Sequence, residues 1–246
     1  MRRQQQGFTL IELLVAVLIG LFLLGGLLTI VQDNRRTFGN QSQLSQLQDN
    51  ERLALTIIGD IVQESGYFPD PTIHLASDDL PAAAPFAAGQ SIYGTTAAGG
   101  DTLYARFVTA PGDGIINCSG GSNPSTSGAN SSYTNVFSVS GGQLLCSMNG
   151  TSYTLVGSPS ALGNLLDIKS LNVMYGVKTN AAASGNNVDD YLTATQVTAG
   201  NYWGNVISVR VTLSFSNPLY VAGQGQPQTL SVQRLIAVMN QTGIRQ

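Results

Sequence analysis

GFTLIELLVAVLIGLFLLGGLLTIV occupies residues 7–31 and decides how the rest of the chain is read. From Leu13 to Val31 it carries no charge, and an uncharged apolar run of about 18 or more residues is long enough to cross a bilayer as a helix. MRRQQQ precedes it; Gln32, Asp33, Asn34, Arg35 and Arg36 follow. Three readings compete. A cleaved secretory signal needs a shorter apolar region and a small-x-small site after it, and no such site follows Val31. A plain anchor would be oriented by Arg2, Arg3 and the start amine, which outweigh Arg35 and Arg36 once Asp33 is counted and place residues 32–246 outside. The third reading is more specific. Glu12 is lodged in the apolar run, where an ionised carboxylate costs about 2.5–3.5 kcal/mol on insertion scales and so implies a partner. A cut after Gly7 would give Phe8 a free amine, and Glu12 would then lie four residues away, one helical turn along the same face.

On these residues the chain resembles a known family. Gly7-Phe8-Thr9-Leu10-Ile11-Glu12, behind a short basic leader, is similar to the class III leader junction of type IV pilins and pseudopilins. The resemblance implies that a prepilin peptidase cuts after Gly7 and N-methylates Phe8. It also implies that Glu12 pairs with the N-terminal amine of a neighbouring subunit during assembly. Many major pilins carry a proline near the end of the first apolar segment; here none occurs before Pro69, and Gly20, Gly25 and Gly26 are the candidates for local flexibility.

Beyond the span the pattern becomes amphipathic. Leu44, Leu47, Ala54, Leu55, Ile58, Ile61 and Val62 recur at three- and four-residue steps, with Gln41, Gln43, Gln46, Gln48, Asn50 and Arg52 mostly elsewhere. Gly66 reads as a helix stop before Tyr67-Phe68-Pro69. One helix over 8–65 is expected, about 85 Å long at 1.5 Å per residue, with an apolar face in its second half for a head domain. From residue 67 the text turns to short runs punctuated by Gly, Ser, Asn and Pro. Strands are expected at 102–109, 134–140, 143–148, 152–156, 167–177, 205–215 and 230–239, the clearest alternation being VISVRVTLSF, which sets Ile207, Val209, Val211 and Leu213 against Val206, Ser208, Arg210 and Thr212. The fold class is therefore α+β: a long N-terminal helix packed on an antiparallel sheet. The domain reading is a leader at 1–7, a membrane and assembly half-helix at 8–31, an amphipathic half-helix at 32–66 and a β-rich head at 67–246.

Composition narrows the function classes. Charged residues make up 10% of the chain against 43% apolar, and the net charge is -3. The few charges of the head are scattered, with no basic stripe to hold a phosphate backbone, so no direct nucleic-acid site is expected. Two cysteines, Cys118 and Cys146, read as one disulfide if the chain is exported and as two free thiols if it is cytosolic. No CxxC pair offers a zinc site. The one histidine, His74, stands in a Pro-flanked segment without a G-x-S-x-G elbow. CSGGSNPSTSG, residues 118–128, lacks the Lys-Ser or Lys-Thr of a phosphate loop. Asp189 and Asp190 could offer oxygens to Ca²⁺, but EF-hand spacing is missing and acidic loop pairs usually face water. Trp203 with Tyr202 is either an adhesive aromatic patch or a packed core or edge element. The expectation is no catalytic residue, no cofactor and no metal: not an enzyme.

Further stretches resemble the PilW-type minor pilins: NRRTF at 34–38, LQDNERLAL at 47–55, ESGYFPDP at 64–71, SLNVMYGVKT at 170–179, DDYL at 189–192 and W-x-x-V-I-S-V-R-V at 203–211. This resemblance implies a structural subunit of the complex that initiates or tips a type IV pilus, serving twitching motility, attachment or DNA uptake. The implied partners are other minor pilins and the major pilin, the prepilin peptidase, the pilus assembly platform, and inner-membrane lipid before assembly. The implied location is the inner membrane with the head in the periplasm, then the pilus. A type II secretion pseudopilin and a pilin-stalked adhesin or ligand-binding module are the alternatives.

Overall fold

The computed structural model describes residues 9–157, 167–180, 185 and 187–239, and the chain divides into two units, Met1–Ser45 and Gln46–Gln246. Helix α1, Leu10–Glu64, runs without interruption through Gly20, Gly25, Gly26 and Gly39. No proline interrupts it, and Leu-rich sequence loses little side-chain freedom in a helix. From Leu13 to Val31 it is apolar on all sides and exposed, as is Leu10 before it, with Leu10 80% and Phe22 86% accessible. A helix of that composition belongs in lipid or in a packed assembly. Its backbone polar groups are satisfied within the helix, as hydrocarbon requires.

In the second unit the remainder of α1 becomes one-faced. Leu47, Ala54, Leu55, Ile58, Ile61 and Val62 are buried, as the three- and four-residue spacing predicts. The helix stops where expected. Gly66 takes φ 81°, a conformation that favours glycine. Its N–H donates to the Arg106 carbonyl at 2.9 Å, and Ser65 Oγ donates back to the Val62 carbonyl at 2.6 Å.

Two antiparallel sheets follow where one was expected. The first has the order β1-β2-β3-β4-β5: Ile92–Thr95, Thr102–Thr109, Ser131–Ser140, Gln143–Met148 and Thr151–Val156. The second has the order β7-β6-β8-β9: Asp190–Leu192, Ile168–Val177, Val206–Ser216 and Thr229–Ala237. All seven expected strands are present within a few residues. The short edge strands β1 and β7, and the short helices α2 (Ala76–Asp79) and α3 (Ala194–Ala199), escaped the sequence reading. A run of three to six residues carries too little periodicity to register. One core unites the helix with both sheets: Ala54, Ile58 and Val62 share it with Leu103, Phe107 and Phe137 of the first sheet and Val173, Val209 and Leu213 of the second.

The alternation predicted for β8 holds from Val209 to Phe215 and fails before it. Val206, Ile207 and Ser208 are all buried. Ser208 is covered by Tyr191 of β7, their hydroxyls 3.1 Å apart. The Tyr191 side chain, reaching across from the edge strand of the same sheet, covers the polar face at this end of β8.

Candidate assembly surface

Gly7 and Phe8, the expected processing residues, lie outside the described residues. Glu12 opens α1. It stands in the first turn, where negative charge is favoured by the helix dipole. Thr9 Oγ1 donates to Glu12 Oε2 at 3.4 Å. Thr9-x-x-Glu12 has capping-box spacing, a signal present in the sequence that the reading above did not use. Glu12 thus has a local partner as well as the intermolecular one the resemblance implies. Around it, Ile11 (71% exposed), Leu13 and Leu14 are open, so the carboxylate sits in an apolar surface available to other helices or lipid.

Cys118 and Cys146 are joined in a disulfide, with Cα atoms 6.2 Å apart, inside the ordinary range. Cys146 stands on β4, and both cysteines are buried. The bridge is not the only tether of the Gly/Ser/Asn-rich segment. Asn135, fully buried on β3, accepts from the Cys118 N–H at 2.9 Å. Asn117 Oδ1 accepts from the Ser119 and Gly121 N–H groups at 3.1 Å each. Asn123 donates to the carbonyls of Thr109 and Ala129 at 2.9 and 3.0 Å and accepts from Ser125 N–H at 3.0 Å. Asparagine side chains here do what an apolar loop would do by packing.

The remaining candidates find packing roles. Trp203 lies between the sheets, 4.8 Å from the Tyr93 ring of β1 and 4.9 Å from Tyr175 of β6, with Nε1 donating to Thr198 Oγ1 at 3.0 Å. That geometry is the core alternative, not an open patch. Asp189 Oδ2 accepts from the N–H groups of Thr179 at 2.8 Å and Asn180 at 3.0 Å. The Asn180 amide holds this carboxyl below its usual range, helped by Thr179. Asp189 therefore closes its own loop. His74 Nδ1 faces Asp79 Oδ2 at 3.3 Å across the segment that contains α2.

One buried cation was not foreseen. Arg106 on β2 is 3% exposed and forms no ion pair among the described residues. Its guanidinium donates to the carbonyls of Gln90 (2.6 Å), Pro81 (2.7 Å), Ala87 (2.8 Å) and Leu80 (3.2 Å), and stacks 4.5 Å from the Phe86 ring. Burial lowers its pKa from the usual value, and four carbonyl dipoles supply what a counterion would. It fastens the connection between α2 and β1 to the first sheet. Sequence alone shows an Arg in an apolar strand, LYARFV, but nothing that names its acceptors.

Comparison with known proteins gives two family matches. Residues 2–28 match the prokaryotic N-terminal methylation motif. Residues 130–245 match the family described as type IV pilus-assembly protein W. Among solved structures, a type IV-like pilin from Thermus thermophilus is similar at 12% identity with a TM-score of 0.44, over 79% of this chain and 97% of that one. Among curated proteins none matches.

Proposed function

We propose, from the matches of residues 2–28 to the N-terminal methylation motif and of residues 130–245 to the type IV pilus-assembly protein W family, that this chain is a PilW-type minor pilin, a structural subunit of the complex that initiates or tips a type IV pilus. Its service would be to twitching motility, attachment or DNA uptake. The observation that carries this reading is one continuous helix with two contrasting halves. Its first part carries the methylation motif and exposes apolar side chains on all sides, and its last turns form the core of a head that matches the pilus-assembly family. Such a helix has a use for its exposed half only in lipid and then among other subunits.

In this reading a prepilin peptidase cleaves after Gly7 and methylates Phe8. The helix waits in the inner membrane with the head in the periplasm, and the assembly platform moves it into the pilus beside other minor pilins and the major pilin. Glu12 then meets the amine of a neighbour. The domain limits follow: leader 1–7, membrane half-helix 8–31, amphipathic half-helix 32–66, head 67–246. The role is structural and non-catalytic. A disulfide in the head agrees with an oxidising compartment. Cross-linking of native membranes, with partners identified by mass, tests the proposal. Recovery of pilus subunits supports it; recovery of type II secretion pseudopilins in their place replaces it with that alternative.

A further inference from the structure

A cleft of about 440 Å³ opens at the C-terminal end of α1, lined by Asp60, Gln63, Glu64, Tyr67, Ile115 and Met239. That volume is ordinary for a ligand cleft, roughly 300–1,000 Å³. Its charge is one-sided. Asp60 and Glu64 are four residues apart, which sets like charges side by side on a helix. They also stand where the helix carbonyls already favour a cation, yet the last turn has no basic residue. Glu64 Oε2 is buried and has no hydrogen-bond partner among the described residues. Burial, with Asp60 and Asp113 adding to it, pushes the Glu64 carboxyl up to about 7. The ion pairs among the described residues, His74–Asp79 and Lys169–Asp167, involve neither Asp60 nor Glu64. A buried carboxylate oxygen without a donor is costly. A donor arriving from outside the head accounts for it.

We propose that this cleft is a docking pocket for a Lys or Arg side chain of a neighbouring subunit, an inference that rests on the assembly-subunit reading above. The occupant follows from the chemistry of the walls. Paired carboxylates call for a cation. Ile115 and Met239 suit the aliphatic stem that Lys and Arg carry, and the Tyr67 ring offers a face to the charged head. A divalent metal fits less well. Among the described residues no three His, Cys, Asp or Glu side chains are grouped to hold one. The nearby Asp113 spends its oxygens on the N–H groups of Ala110 at 2.8 Å and Ile115 at 3.0 Å.

The test uses the full chain in its native membrane, with benzoylphenylalanine introduced at Ile115 as a photo-cross-linker. The expected product joins this position to a Lys- or Arg-bearing peptide of a pilus subunit. Its yield should fall at least tenfold in the double variant D60N/E64Q, while the melting temperature of the head stays the same or rises, because two like charges one helical turn apart have been removed. A cross-link that survives neutralisation overturns the pocket and leaves the subunit reading standing. So does one that lands on residues 240–246 and is lost with Arg245→Gln, which would make the chain its own donor. A cross-link lost together with a lowered melting temperature also counts against the pocket. Recovery of no pilus subunit from either form overturns both readings.

Discussion

The guanidinium of Arg234 lies against the bare face of Gly59, so close that a Cβ on the glycine would stand 2.9 Å from Nη1. From there Arg234, on β9, donates to the Leu55 carbonyl of α1 at 2.9 Å. Strand and helix are thus joined by a charge-assisted hydrogen bond that only a missing side chain permits. Glycine inside a helix costs roughly 0.5–1 kcal/mol relative to alanine, whereas a hydrogen bond from a charged group contributes about 1.5–3 kcal/mol. Gly59→Ala should therefore lower stability by about 1 kcal/mol. With Arg234→Met already in place, the same change should raise stability by about that amount. Chemical denaturation of the four proteins of the cycle measures the reversal, and equal effects in both backgrounds would contradict it.

The Glu64 carboxyl, pushed up to about 7 chiefly by burial, makes the head less stable as pH rises. Its unfolded value is near 4.5. Between 4.5 and 7 the folded state holds a proton that the unfolded state has released, so stability falls across that window and levels above it. Because the carboxylate is partly open to water, the screened effect is about 1 kcal/mol. Glu64→Gln should flatten this part of the profile and raise the melting temperature at pH 8. Thermal melts from pH 4.5 to 8 in detergent check it; an unchanged slope in the variant would assign the dependence elsewhere.

Removal of the Cys118–Cys146 bridge should cost about 3–4 kcal/mol if the cross-link acts on the unfolded chain, given a separation of 28 residues. The asparagine contacts of Asn117, Asn123 and Asn135 do not involve the cysteine sulfurs, so a Cys118→Ser/Cys146→Ser head should still fold cold and melt early. Non-reducing peptide mapping of material from the native compartment should find the two cysteines in one peptide pair. Two free thiols there would argue against export of the head.

Intact mass of protein from the native host should show loss of residues 1–7 and gain of one methyl group. Gly7→Leu should leave the full-length chain in the membrane. A mature form beginning after residue 31 would restore the secretory-signal reading.

Glu12 has two candidate partners, the Thr9 hydroxyl of its own helix and the amine of a neighbour, and two variants separate them. Glu12→Gln removes a charge from the span and should insert at least as well as wild type, yet it should reduce co-purification of partner subunits severalfold. Thr9→Ala removes only the exposed hydroxyl–carboxylate contact with Glu12 and should leave partner recovery unchanged. If the two variants lose partners equally, the cap is what matters and the intermolecular role of Glu12 is wrong.

How much of this was legible beforehand differs by element. The anchor, the amphipathic turns ending at Gly66 and seven of the strands were readable because each repeats its period long enough to be seen: Leu47 to Val62 at helical steps, Val209 to Phe215 at alternating ones. The methylation motif over residues 2–28 was readable because its residues stand close in the chain, and local chemistry needs no fold to be recognised. Even there, the Thr9-x-x-Glu12 cap passed unused.

What only the tertiary structure decided lies in contacts between residues far apart in the chain. No periodicity pairs Arg234 with Gly59, gathers the carbonyls of Leu80, Pro81, Ala87 and Gln90 around Arg106, or sets Trp203 between Tyr93 and Tyr175. The split into two sheets belongs here too, since β1 and β7 are short strands whose places depend on longer neighbours. So does the acidic cleft: Asp60 and Glu64 are visible as a helical pair, but the burial that strips one Glu64 oxygen of its donors depends on where the rest of the head packs. Backbone periodicity and short-range chemistry are written along the chain; desolvation and long-range pairing exist only once distant segments have excluded water between them.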